Sequence, residues 1–92
     1  MDIFSQIVVQ IIKGQEAIIG PVAVEQASQI RGLDVDWTSQ TVNVHGDAPK
    51  VINNLVAAYR DLFGQISVEV SKEAVAGLTN QIPADQMPEA LK

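Results

Sequence analysis

The chain has no cysteine. That removes disulfides, thiolate metal sites and thiol nucleophiles together, and it leaves a reducing compartment, the cytoplasm, as the expected setting. Aromatic residues are scarce, at 4% of a chain that is 47% hydrophobic, so a core has to be assembled from Ile, Val, Leu and Ala. Positive charge is short as well. Six Lys and Arg stand against eleven Asp and Glu, and the resulting net charge of -5 repels a phosphate backbone and disfavours nucleic acid as a partner. Glycine motifs are missing: Gly14, Gly20, Gly32, Gly46, Gly64 and Gly77 lie singly, with no dinucleotide fingerprint, phosphate loop or EF-hand among them. The stretch from Ile3 to Ile12 is almost continuously apolar, but Lys13, Gln15 and Glu16 interrupt it. It falls well short of the roughly 20 residues a membrane span needs. Met1-Asp2 supplies no basic segment ahead of it, so the run reads as part of a folded domain rather than a targeting signal.

What is present is a sequence of periodic segments. Ile3, Phe4, Ile7, Val8, Ile11 and Ile12 recur at helical spacing behind Asp2, a carboxylate suited to the positive end of a helix. Val9 widens that stripe to more than half the helix circumference. The pattern resumes with Ala17, Ile18, Val22, Ala23, Ala27 and Ile30, broken at Gly20-Pro21 by a kink or by the start of a second helix. Leu33, Val35 and Trp37 then alternate with Asp34 and Asp36, and Val42 and Val44 alternate with Thr41, Asn43 and His45, the period of two half-buried strands. A hairpin with Thr38 to Thr41 as its loop would set Trp37 opposite Val42, Val35 opposite Val44 and Asp34 opposite His45.

Asp47 is placed to cap a helix that has Pro49 in its first turn, Val51, Ile52, Leu55, Val56, Tyr59, Leu62 and Phe63 on one face, and Gly64 as its stop. Ile66, Val68 and Val70 alternate with Ser67 and Glu69 as a third strand, and Ser71 opens a short helix carrying Ala74, Val75 and Leu78. A single α+β domain over residues 1–80 follows, with a Pro-punctuated tail over 81–92. Its predicted order is α-α-β-β-α-β-α, with a small three-stranded mixed sheet and helices packed on one face. No internal repeat is evident. The element order resembles the opening of roadblock-like dimerisation domains and half of a ferredoxin-like sandwich in topology alone; no residue motif accompanies it, and no site is carried over.

Asp34, Asp36, His45 and Asp47 form the one polar cluster of chemical interest, since a carboxylate beside an imidazole can act as a general base and such a set can hold a metal. The solvated face of a hairpin shows the same alternation, so no catalytic residue, metal site or cofactor is assigned. Trp37 and Tyr59 belong to apolar faces and read as core. The aliphatic surplus points to a non-enzymatic protein-interaction or regulatory module. Self-association, as a homodimer, would use the face of Ile3, Phe4, Ile7, Val8, Ile11 and Ile12 or an uncovered sheet edge. Two alternatives remain: an apolar metabolite or lipid site between the first helices and the sheet, and a metal-assisted hydrolase at Asp34, Asp36 and His45.

Overall fold

Both long helices begin on an aspartate that satisfies their free amides. In the computed structural model, which describes residues 2–92, Asp2 accepts from the Ser5 amide at 2.8 Å and Asp47 accepts from the Lys50 amide at 3.2 Å. They open α1 (Ile3–Ile19) and α3 (Ala48–Phe63). Each long helix turns at a glycine into a shorter one, α1 into α2 (Val22–Ser28) and α3 into α4 (Gln65–Ala74). Between the two helix pairs lies an antiparallel hairpin, β1 (Leu33–Asp36) and β2 (Thr41–Val44). The described residues form a small α+β domain with four α-helices and a two-stranded sheet.

The predicted third strand is helical. Ile66 and Val70 alternate with polar residues, but they are also four apart, so they share a helical face equally well. Tertiary packing decides between the two. Ser67, Val68, Ser71 and Val75 turn inward at helical spacing, and α1 lies against them where a paired strand would be needed. With no third strand, the parallel crossover and the mixed sheet disappear as well.

The hairpin forms, but its register differs from the predicted one. Leu33 pairs with Val44, Asp34 with Asn43, Val35 with Val42 and Asp36 with Thr41, leaving Trp37 to Gln40 as the loop. Trp37 leaves the ladder because its indole N–H donates to Glu16 Oε2 at 3.0 Å, which ties the loop to α1. The slip amounts to two residues along the pairing, so each side chain keeps its predicted face. Leu33 and Val42 point into the core, and Asp34, Asp36 and Asn43 face solvent.

A repeat that identity alone does not reveal organises the helices. Gly20 and Gly64 are 44 residues apart, and at the same offset five of the seven buried positions of α1 (Ile7, Val8, Ile11, Ile12, Gln15) become the five buried positions of α3 (Val51, Ile52, Leu55, Val56, Tyr59), while buried Ser5 and Val9 have no buried counterpart. Ala23 and Ala27 of α2 likewise become Ser67 and Ser71 of α4. Across residues 3–28 and 47–72 the only identities at this offset are Gly20/Gly64, Val24/Val68 and Glu25/Glu69.

The cross-contacts repeat too. The Gln15 amide donates to Ser67 O at 2.8 Å, and the Tyr59 hydroxyl donates to Ala23 O at 2.5 Å. In each case the donor is five residues before one glycine and the acceptor three residues after the other. Such reciprocity is the signature of two units related by an approximate two-fold, here within one chain. Residues 79–92 add three single turns of 3-10 helix, and they are anchored by buried Ile82, Pro88 and Leu91 and by Ala90 N–H donating to Asn53 Oδ1 at 2.9 Å.

Candidate functional site

The polar cluster of the hairpin is dispersed. His45 Nε2 does meet Asp34 Oδ2 at 2.5 Å, diagonally across the ladder, with both side chains mostly exposed. A polar contact so open to solvent contributes little to stability. Asp47 is taken up by the α3 N-terminus, and Asp36 stands on the wet face opposite Thr41. Among the described residues no group of three or more His, Asp and Glu is placed to hold a metal ion. Ala23, Ala27, Leu33 and Val42, on the elements expected to border a ligand pocket between the first helices and the sheet, are buried in the core.

The face predicted as an interface is also spent inside the chain. Ile7, Val8, Ile11 and Ile12 are wholly buried, and Ile3 and Phe4 pack partly against the same core. A stripe covering more than half a helix needs cover on two sides, and α4 and the hairpin with α2 supply it. Buried Gln15 is part of that cover. Its Nε2 donates to Ser67 O and, at 3.0 Å, to Ser71 Oγ, so the polar gap in the apolar run bonds α1 to α4. Among the described residues no helix is long and apolar enough to cross a membrane.

The exposed aliphatic surface lies elsewhere, at the two glycine corners. Gly20 (φ 72°, ψ -151°) and Gly64 (φ 84°, ψ -174°) occupy a region of backbone space open essentially to glycine alone. Their hydrogen bonds match. Each glycine N–H closes the preceding helix, on Glu16 O at 2.9 Å or Arg60 O at 2.7 Å, and each glycine carbonyl accepts from the third residue onward, Ala23 at 3.1 Å or Ser67 at 3.0 Å.

Two residues before and two residues after each glycine stands an aliphatic side chain in solvent: Ile18 (63% exposed) and Val22 (38%) at one corner, Leu62 (54%) and Ile66 (64%) at the other. The bonds from Gln15 to Ser67 and from Tyr59 to Ala23 hold both corners at the same end of the molecule. Beside Ile18 an open groove of about 420 Å³ runs between α1 and α4, lined by Gly14, Ala17, Ile18, Val70, Glu73 and Ala74.

Tyr59 fastens this end. Its buried phenol is pushed well above the ordinary tyrosine range, first by burial and then by the nearby Glu16 carboxylate, so it stays a neutral donor to Ala23 O. Sequence reasoning missed the corner surface because its four residues were assigned to helix faces or to a strand. The available signal was the repeated spacing of an aliphatic, a glycine and an aliphatic at 18, 20 and 22 and again at 62, 64 and 66. Compared with known proteins, the chain matches no family model, no curated protein and no solved structure.

Proposed function

We propose that the protein is a non-enzymatic interaction module that holds an apolar segment of a partner protein on the surface formed by Ile18, Val22, Leu62 and Ile66. One observation carries this reading: among the described residues, the large hydrophobic side chains that the fold leaves exposed are these four, set at equivalent positions of two matched corners at one end of the molecule. Exposed aliphatics scattered singly need no explanation, whereas grouped ones mark contact surfaces. The corners are rigid, because each is closed by backbone bonds and tied to the other unit, so a partner finds its anchor sites already in place.

A different protein fits this surface better than a second copy. A two-fold contact between copies through this surface would bring together the acidic residues beside the corners, Glu25 and Glu69, of two chains that each carry a net charge of -5. The hairpin edges are a weaker alternative, since strands of four residues give an added strand little to pair with.

The test is to pan a library of random peptides of about 16 residues, long enough for a helix or strand anchor, against the wild-type chain and the Ile18→Asp/Ile66→Asp double variant. Peptides enriched on the wild type are expected to lose about tenfold or more in affinity for the variant. Enriched peptides that bind both proteins equally would refute the proposal. So would a wild-type dimer by light scattering that the same double variant abolishes, because the surface would then belong to a second copy.

A further inference from the structure

The groove beside Ile18 and the charges around the corners narrow the choice of partner. The groove is lined by three small residues, Gly14, Ala17 and Ala74, together with Ile18, Val70 and Glu73. The two flanking helices run antiparallel, since Gln15 of α1 meets Ser67 of α4 while Gly14, one residue earlier, faces Val70 and Ala74. An open channel between antiparallel helices, with no strand edge beside it, accepts a third helix through its apolar stripe.

One carboxylate, Glu73, lines the groove. Glu69 stands one turn before it on the exposed side of α4, three residues beyond Ile66, and Glu25 is exposed three residues beyond Val22 on α2. Glu25 and Glu69 are equivalent under the internal repeat, so each corner carries one. None of the three is paired with a cation among the described residues; Glu69 meets only a neutral amide, Gln65 Nε2 at 3.4 Å. The Arg60 guanidinium is engaged with Asp61 at 3.5 Å.

Building on the interaction-module reading above, we infer that the partner segment is a cationic amphipathic helix, with its apolar stripe in the α1/α4 groove and its Lys or Arg side chains on Glu25, Glu69 and Glu73. Its charge complements both the rim and the whole chain, and the same carboxylates repel a phosphate-bearing membrane surface. Apolar contacts supply the hold, and the carboxylates select the sign of the partner and speed its approach.

The test uses three synthetic helices of about 18 residues, five turns each, patterned with leucine on one face and lysine, glutamine or glutamate on the other, and follows backbone amide shifts of the full chain by NMR. The Leu/Lys helix is expected to shift amides at residues 14–22 and 62–74, and the Leu/Glu helix to leave them in place. Raising NaCl from about 50 to about 500 mM should weaken the Leu/Lys complex about tenfold, because the rim charges are exposed and screened. The Glu25→Gln/Glu69→Gln/Glu73→Gln variant should bind it several-fold more weakly at an unchanged melting temperature.

A Leu/Gln helix that binds the corners as tightly as Leu/Lys would overturn the cationic assignment and leave the interaction module standing. Absence of corner shifts with every helix would remove both. Leu/Lys shifts spread evenly over the surface, or capture of the chain through its corners by phosphatidylglycerol vesicles, would also overturn the inference, the first as unspecific attraction and the second in favour of a membrane.

Discussion

Ile11 and Ile66 are the same side chain in opposite circumstances. The first lies in the most apolar stretch of the sequence and is wholly buried; the second sits among serines and glutamates and is 64% exposed. Hydropathy along the chain therefore indicates how much has to be covered, while the path of the backbone decides what is left uncovered. The run Ile3–Ile12 is covered because α4, the hairpin and α2 close over it, and their positions are fixed by the turns at Gly20 and Gly64. Those same turns leave Ile18, Val22, Leu62 and Ile66 at the outside of the bend.

Charge placed at the two isoleucines should separate the regions most sharply. Ile11→Asp buries an unpaired carboxylate at a fully enclosed site and is expected to cost about 4 kcal/mol or more, enough to unfold much of a domain of this size. Circular dichroism showing a folded, soluble Ile11→Asp monomer would return the first helix to the role of an interface. A smaller loss is expected at the corners themselves. A methyl group added at Gly64 meets nothing within 4 Å, so Gly64→Ala should cost about 1–3 kcal/mol through backbone strain alone, read as a lower urea midpoint. Gly20→Ala should match it, and a marked difference between the two would break the equivalence of the corners.

The Tyr59 tie gives a pH signature of similar size. Below pH 10 the phenol keeps its proton in both the folded and the unfolded chain. Above it the unfolded chain releases the proton while the folded one retains it, so the unfolded state binds fewer protons and stability falls with rising pH. Between pH 9 and 11 the expected loss is about 1.4 kcal/mol in all, because the slope climbs from near zero toward about 1.4 kcal/mol per pH unit, the value of a single proton, as pH passes the unfolded pKa; this contribution should be missing in Tyr59→Phe when urea midpoints are compared over that range. An equal slope in both proteins would show that the phenol is not held neutral. The smallest effect belongs to Ile66→Asp, which should change stability by no more than about 0.5 kcal/mol, as exposed substitutions do.

The legibility of the sequence varied with the kind of pattern. The helix from Asp47 to Phe63 was legible because its cap, its first-turn proline, its apolar face and its glycine stop agree with one another. The first helix was legible as a helix, but its use was not, since a wide apolar stripe suits a core and an interface equally well. Residues 66–70 were misread because five residues of alternation also satisfy a helical face, and the deciding contact, Gln15 on Ser67 and Ser71, is remote in sequence. The internal repeat was hidden for a related reason: it conserves burial, Ala23 against Ser67 and Gln15 against Tyr59, rather than residue type. Of the polar cluster, the contact between Asp34 and His45 was legible, and their neighbours proved to face solvent or to cap a helix.

A soluble gadolinium chelate tests the contrast directly, because it broadens the methyl NMR signals that solvent reaches. The arrangement described here predicts strong broadening of the δ1 methyls of Ile18 and Ile66, with those of Ile7, Ile11 and Ile12 left sharp. Broadening of Ile7 and Ile11 to the level of Ile66 would place the aliphatic surface on the first helix and contradict the account.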